Sequence, residues 1–121
     1  MKRMEQKLIN LSLSRKKKCE GVAYVRVSDI EEIDVPIRMH NEKEFAMLKE
    51  SIKTTRIMLP LILIKKERGD GYILVDGRGR LKVAKEFGLE EVPAVIYSYE
   101  ECDDEQRKEE ARRLAIILNS F

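Results

Sequence analysis

Apolar positions along the chain follow two patterns: short β-branched runs, and longer runs in which apolar residues recur at three- or four-residue spacing. The first pattern predicts strands and the second predicts amphipathic helices. The predicted strands lie at 22–27, 59–67, 72–76 and 92–98. The predicted helices lie at 42–54, from the turn at 76–80 to Phe87, and from Asp103 toward the C-terminus. Strands and helices are therefore mixed along the whole chain.

Polar residues and glycines at the ends of these runs support the predicted boundaries. Asn41, followed three residues later by Glu44, has the form of a capping box and places a helix start at residue 42. Glycines on both sides of Asp70 indicate the turn of a hairpin between two strands. An aspartate at 103 or 104 is suited to cap the last helix. The connections are short, and 121 residues are enough for one domain.

Composition indicates a globular and heavily charged chain. Hydrophobic residues make up 43% and charged residues 38%, and the formal net charge is only +2. High Lys, Glu and Ile with no Trp is typical of heat-adapted proteins. No apolar run approaches the length of about 20 residues that crosses a membrane, and no secretory signal is present, so we expect a cytoplasmic protein. Cys19, Cys102 and the single His40 do not have the spacing of a familiar metal site.

Basic residues are concentrated at the N-terminus. Residues 1–18 contain one acid, Glu5, and the cations Lys2, Arg3, Lys7, Arg15, Lys16, Lys17 and Lys18. Acidic residues are concentrated instead at 100–110. We therefore divide the chain into a basic arm, residues 1–21, and a domain, residues 22–121. The arm is either a solvated terminus or a contact for the phosphate backbone of nucleic acid, and the small net charge argues against strong DNA binding.

The stretch DGRGR at 76–80 joins a predicted strand directly to a predicted helix. Gly77 and Gly79 permit unusual backbone angles and close approach of a ligand, and the helix start presents free N–H groups. Arg78 and Arg80 add two guanidinium groups suited to phosphate oxygens, so these residues favour a phosphate site. The alternative is a tight structural turn whose arginines are solvated or pair with the acidic residues. The glycine spacing excludes a Walker loop and a dinucleotide-binding fingerprint.

The order of elements and several short motifs resemble the ParB and sulfiredoxin superfamily. Within residues 27–99, the motifs are the helix end KESI, the strand LPLILI, the turn DGRGR, the helix end FGL and the strand VPAVIY. The resemblance implies an α+β fold in which helices pack against a small mixed sheet. The turn matches the Asp-Gly-x-x-Arg form of small members such as the free-serine kinases. This match implies that nucleotide phosphates are held at Gly77, Arg78, Gly79 and Arg80.

The resemblance also implies further site residues. Arg38 lies where family members have the arginine of a Gln-Pro-Arg box, which makes it a candidate phosphate ligand. Asp76 and the nearby carboxylates Glu31, Glu32 and Asp34 are candidates for catalysis, in which one would orient water or an acceptor hydroxyl together with nucleotide-bound Mg²⁺. The turn contains no cysteine, so we do not expect the sulfinic-acid reductase activity of sulfiredoxin.

Three functions follow as expectations. The first is a nucleotide-binding domain, with ATP or ADP favoured over CTP, that hydrolyses a nucleoside triphosphate or transfers its phosphoryl group. The second is a non-catalytic DNA-associated protein that contacts the DNA backbone through residues 1–18. The third is a regulatory subunit whose apolar C-terminal helix docks on a partner or forms a homodimer. Within these 121 residues we expect no helix-turn-helix that reads a DNA sequence.

Overall fold

The computed structural model describes residues 17–37 and 41–119, which form one sheet and three α-helices. The strands are β1 (Lys17–Arg26), β2 (Ile30–Glu31), β3 (Leu61–Lys65), β4 (Tyr72–Asp76) and β5 (Glu91–Tyr99). The helices are α1 (Glu42–Thr55), α2 (Arg78–Glu86) and α3 (Asp104–Leu118), and a 3-10 turn covers Val27–Asp29. This architecture confirms the predicted α+β fold. Across the described ranges, no helix is long and apolar enough to span a membrane.

The strand order in the sheet is β1-β5-β3-β4-β2. The hairpin pair β3–β4 and the edge pair β1–β5 are antiparallel, whereas β3–β5 and β2–β4 are parallel, so the sheet is mixed as predicted. Because β2 runs parallel to β4, the residues that follow β2 lie beside the end of β4. The sheet thus brings 32–34 close to the turn at 76–80.

Both faces of the central strands are buried, which explains their continuous apolar runs. The core on the side of α2 contains Leu61, Leu63, Leu74, Leu81 and Ala84. The core on the side of α3 contains Ile64, Ile73, Val75 and Ala111. Since β4 contributes residues to both cores, its end and the turn that follows it are anchored on both sides of the sheet.

The helix boundaries follow the predicted caps. The Asn41 side-chain oxygen accepts a hydrogen bond from the Glu44 N–H at 2.8 Å, so α1 begins at residue 42 as expected. Asp103 and Gln106 form a capping box at the start of α3. After α1, Arg56 has a left-handed backbone (φ 62°), which ends the helix and directs the chain toward β3.

Two parts of the sheet differ from the predicted pattern. β1 begins at Lys17, earlier than predicted, so residues 17–21 of the predicted arm lie in a strand paired with β5. A bulge between Cys19 and Gly21, with Gly21 at φ 103°, lets this strand continue through polar residues. β2 has only two residues, too few to show periodicity, and the sequence predicts a loop there. Residues 1–16 of the arm lie outside the described residues.

Candidate functional site

The turn between β4 and α2 depends on Gly77, the residue that caps the start of the helix. Its φ of 107° is a left-handed backbone angle that side chains disfavour. A Cβ built at this position would lie 2.9 Å from Cγ of Leu61, a fully buried core residue. Backbone strain and close packing therefore both favour glycine, and together they determine where α2 begins.

The start of α2 is more positive than the starts of the other two helices. α1 and α3 each have a capping side chain and two acidic residues in the first turn, whereas α2 has neither. The first turn of α2 contains Arg78, Gly79 and Arg80, and the Leu81 N–H donates to the Gly77 carbonyl at 2.9 Å. The N–H groups that precede Leu81, together with the helix dipole, provide a place for an anion.

Arg78 binds two backbone carbonyl oxygens. Its guanidinium donates to the Val75 oxygen at 2.9 Å and to the Ile33 oxygen at 3.3 Å, which ties the segment after β2 to the turn. Burial lowers the pKa of Arg78, while the charges of Glu32 and Asp76 act in the opposite direction. The ordinary pKa of arginine is so high that the group stays charged near neutral pH. A partly buried cation is therefore held beside the helix start.

Arg80 has a different set of partners. It donates to the carbonyl oxygens of Leu59, at 3.0 Å, and of Pro60, in the connection from α1 to β3. It also forms an ion pair with Asp76, with 3.4 Å between Nη2 and Oδ2. The alternative to a phosphate site is a turn whose arginines are solvated or pair with the acidic residues. Among the described residues, however, their partners are backbone oxygens and Asp76 rather than the acidic residues 100–110.

The predicted catalytic carboxylates are only partly brought together. Asp76 and Glu32 both lie close enough to Arg78 to raise its pKa against the effect of burial. Glu32 also pairs with Lys85 of α2, with 3.0 Å between Nζ and Oε2. Both carboxylates therefore act on the charge of Arg78, with Asp76 held against Arg80 in the first turn of α2 and Glu32 held against Lys85 in its last turn.

Glu31 and Asp34 are instead engaged with α3. Glu31 binds Lys66 at 2.6 Å and Lys108 at 3.3 Å, and these contacts, chiefly the one with Lys66, lower the pKa of its carboxyl. The Asp34 backbone oxygen accepts a hydrogen bond from Arg112 at 2.9 Å. Both contacts fix the chain around β2 against α3. The two lysine partners of Glu31 make its carboxylate a weaker candidate for contact with a bound phosphate, whereas the contact of Asp34 involves its backbone and leaves its carboxylate a candidate.

Two further predictions concern Arg38 and a metal ion. Arg38 lies outside the described residues. Within 17–37 and 41–119, no group of three or more His, Cys, Asp and Glu side chains is arranged to hold a metal ion. Binding of Mg²⁺ together with a nucleotide stays a prediction.

Several partners of the turn could not be expected from the sequence. The two arginines donate to the carbonyl oxygens of Ile33, Leu59 and Pro60. Every residue type has a backbone carbonyl, so the sequence does not mark these positions as acceptors. Lys85 is different, because it lies seven positions after Arg78 on α2, a spacing that returns to the same helix face. Helical periodicity could therefore have placed Lys85 on the same helix face as Arg78, in the last turn of α2.

Similarity to known proteins covers both the sheet and the turn. The family model for the ParB N-terminal domain matches residues 12–119. The chain belongs to the ParB N-terminal domain family. It is 37% identical over 86 residues to the chromosome-partitioning protein ParB of Myxococcus xanthus and 35% identical over 84 residues to the stage 0 sporulation protein J of Bacillus subtilis. These matches cover 71% and 69% of this chain but 26% and 29% of the relatives, so this ParB-type chain spans little more than a quarter of their length.

Solved structures of ParB N-terminal domains share the fold. A Pnob8-like ParB-N domain has a TM-score of 0.62 and 25% identity, over 86% of this chain and 38% of that chain. ParB of Caulobacter crescentus, solved with CTP-γ-S, has a TM-score of 0.62 at 24% identity, over 82% of this chain and 52% of that chain. A free serine kinase, solved with AMP, has a TM-score of 0.52 at 24% identity, over 65% and 32% of the two chains. The last two similarities show that this chain has the same fold as those two proteins.

Proposed function

We propose that this ParB N-terminal domain binds a nucleotide and holds its phosphates at the turn 76–80. The observation that carries the proposal is the start of α2, which has no capping side chain, no acid in its first turn and two arginines beside it. Of the three α-helices in the described residues, it alone combines these features. Phosphate oxygens would accept hydrogen bonds from the N–H groups that precede Leu81 and from the remaining donors of the guanidinium groups.

The identity of the base is a separate question. One fold neighbour was solved with CTP-γ-S and another with AMP. The turn offers backbone N–H groups and guanidinium groups, which recognise phosphate and not the base. The expected preference for ATP or ADP over CTP therefore stays a prediction, and both kinds of base belong in the experiment.

The same proposal includes chemistry on the bound nucleotide, either hydrolysis or phosphoryl transfer. The charges of Asp76 and Glu32 both act on Arg78, so one of these carboxylates would orient the attacking water or hydroxyl. Arg78 and Arg80 would neutralise the charge that develops on the transferred phosphoryl group. When Mg²⁺ accompanies the nucleotide, it supplies further positive charge at the phosphates. Such a reaction relies on positioning and electrostatics and requires no covalent intermediate.

Calorimetric titration with ATP, ADP, CTP and GTP, with and without Mg²⁺, tests binding, and release of inorganic phosphate tests hydrolysis. We expect Arg80→Ala to weaken nucleotide binding by at least about tenfold, because one charge-assisted phosphate contact is lost. Lys82→Ala is the matched control. Lys82 lies on the same helix, but its ammonium group lies over the ring of Phe45, 4.3 Å from the ring centroid. Unchanged affinity in a folded Arg80→Ala domain would contradict the phosphate site. Binding without phosphate release would indicate a binding module and not an enzyme.

Association with DNA is the second candidate function, and it is suggested by relatives named chromosome-partitioning proteins. Most cations of the predicted arm lie in residues 1–16, and Lys17 and Lys18 begin the edge strand β1. We expect removal of 1–16 with Lys17→Gln and Lys18→Gln to weaken duplex DNA binding and its salt dependence, because fewer counterions are released. Nucleotide binding should be unchanged. DNA binding that does not depend on these cations would contradict this role.

A homodimer through the C-terminal helix, the third expectation, also stays a prediction. Ile117 and Leu118 at the end of α3 are exposed, so apolar surface remains there in the single chain. Self-association through α3 would cover this surface.

A further inference from the structure

A groove of about 860 Å³ lies at the opposite end of α2 from the DGRGR turn. We call it the α1 groove, because α1 forms one of its walls. The chain after α1, the chain after α2 and the paired ends of β1 and β5 form the rest. Phe87 and Leu89 line the groove and follow the last residue of α2, and none of residues 76–80 is part of its lining.

The floor of the α1 groove is apolar. It is lined by Tyr24, Ile52, Met58, Phe87 and Leu89. The side chain of Tyr24 is 72% exposed. Contiguous exposed apolar surface of this kind marks an interaction site.

A row of cations forms the α1 wall of the groove. Lys49 and Lys53 are four residues apart, and Arg56 follows three residues later. Lys49 and Lys53 share one face of α1, and Arg56 directly follows the last residue of that helix, so the row runs along α1 to its end. Lys49 pairs with Glu86 at 3.3 Å. In the part of the chain that the structure describes, neither Lys53 nor Arg56 makes an ion pair.

We propose that the α1 groove binds an amphipathic helix of a partner protein. The apolar side chains of that helix lie on the floor, and its acidic side chains lie beside Lys53 and Arg56. Charge complementarity identifies this chemistry, because two cations without ion-pair partners border an apolar floor. Glu50 and Glu91 also line the groove. Their negative charges repel a nucleic acid, which has a phosphate at every nucleotide. The carboxylates of a peptide can instead be spaced to avoid them.

Two model peptides test the proposal by fluorescence anisotropy with the full chain. Both have leucines at helical spacing on one face, and the residues that flank this face are glutamates in one peptide and lysines in the other. At low salt, we expect the glutamate peptide to bind at least about tenfold more tightly than the lysine peptide. The charge-swap variant Lys53→Glu with Arg56→Glu should reverse this preference. Lys43→Glu is the matched control, because Lys43 lies on α1 outside the groove lining and should change little.

A second, milder variant keeps the proposal testable if the charge-swap variant does not fold. Lys53→Gln with Arg56→Gly should abolish the preference between the peptides, since glycine readily adopts the left-handed backbone of residue 56. Equal binding of the two peptides to the parent chain, or a preference that persists in both groove variants, would overturn the proposal. It would also be overturned if a single-stranded oligonucleotide bound the groove more tightly than the glutamate peptide. Self-association of the chain that the peptide disrupts would assign the groove to a second copy instead.

Discussion

Replacement of Gly77 by alanine tests how the turn is built. The left-handed backbone angle, φ 107°, becomes unfavourable by about 1–2 kcal/mol once a Cβ is present. The new Cβ would also lie 2.9 Å from Cγ of Leu61, which is fully buried and cannot move aside without disturbing the core. Overpacking of this kind destabilises a domain by about 1–3 kcal/mol. We therefore expect the free energy of unfolding to fall by about 2–5 kcal/mol.

Urea denaturation followed by circular dichroism measures this change. Gly69→Ala is the matched control, because Gly69 also has a left-handed backbone, φ 76°, but nothing lies within 4 Å of its added Cβ. The control should lose only the backbone contribution, about 1–2 kcal/mol. Equal losses in the two variants would show that contact with Leu61 does not constrain the turn. A Gly77→Ala domain that remains folded should also bind nucleotide more weakly, because the N–H groups at the start of α2 are displaced.

Two further substitutions test charges around the site. Asp76→Asn keeps an oxygen acceptor, so stability should fall by about 1 kcal/mol or less while phosphate release from a hydrolysed nucleotide falls by about a hundredfold. Unchanged release would leave the carboxylates of Glu31, Glu32 and Asp34 as the candidates for the catalytic role. Glu31→Gln should lower stability by up to about 1 kcal/mol near neutral pH, because ion pairing holds the pKa of folded Glu31 below its ordinary value of 4.5. This stabilisation is present above that value and is lost as the pH falls through the folded pKa, so urea denaturation of parent and variant should converge in acid.

The helices follow from the regular spacing of their apolar residues, and the central strands follow from short, continuous apolar runs that are buried on both faces. The edge strands β1 and β2 do not follow from the hydrophobic pattern. β1 is rich in polar residues and is held mainly by backbone pairing with β5, and β2 pairs with β4 through two residues. Backbone pairing depends on strands that are distant along the chain, so the local hydrophobic pattern does not reveal it.

The candidate site was predictable in its backbone and less so in its side-chain contacts. A strand that ends in Asp-Gly before a helix indicates the turn, and Gly77 adopts the unusual angle that this sequence permits. The partners of Arg78 and Arg80 depend instead on where β2 and the chain after α1 meet the turn. Those contacts are set by the strand order of the sheet, which the residues of the turn do not encode.

The two arginines of the turn support the fold and still leave donors for an anion. A guanidinium group has five N–H donors, and Arg78 and Arg80 use part of them on backbone oxygens and on Asp76. Holding each group in place in this way reduces the entropy that is lost when a phosphate binds. Asp76 competes with the phosphate for Arg80, because carboxylate and phosphate oxygens accept from the same donors. Under the proposed function, nucleotide binding would therefore release the Asp76 carboxylate beside the phosphates, where it can orient water or contact Mg²⁺.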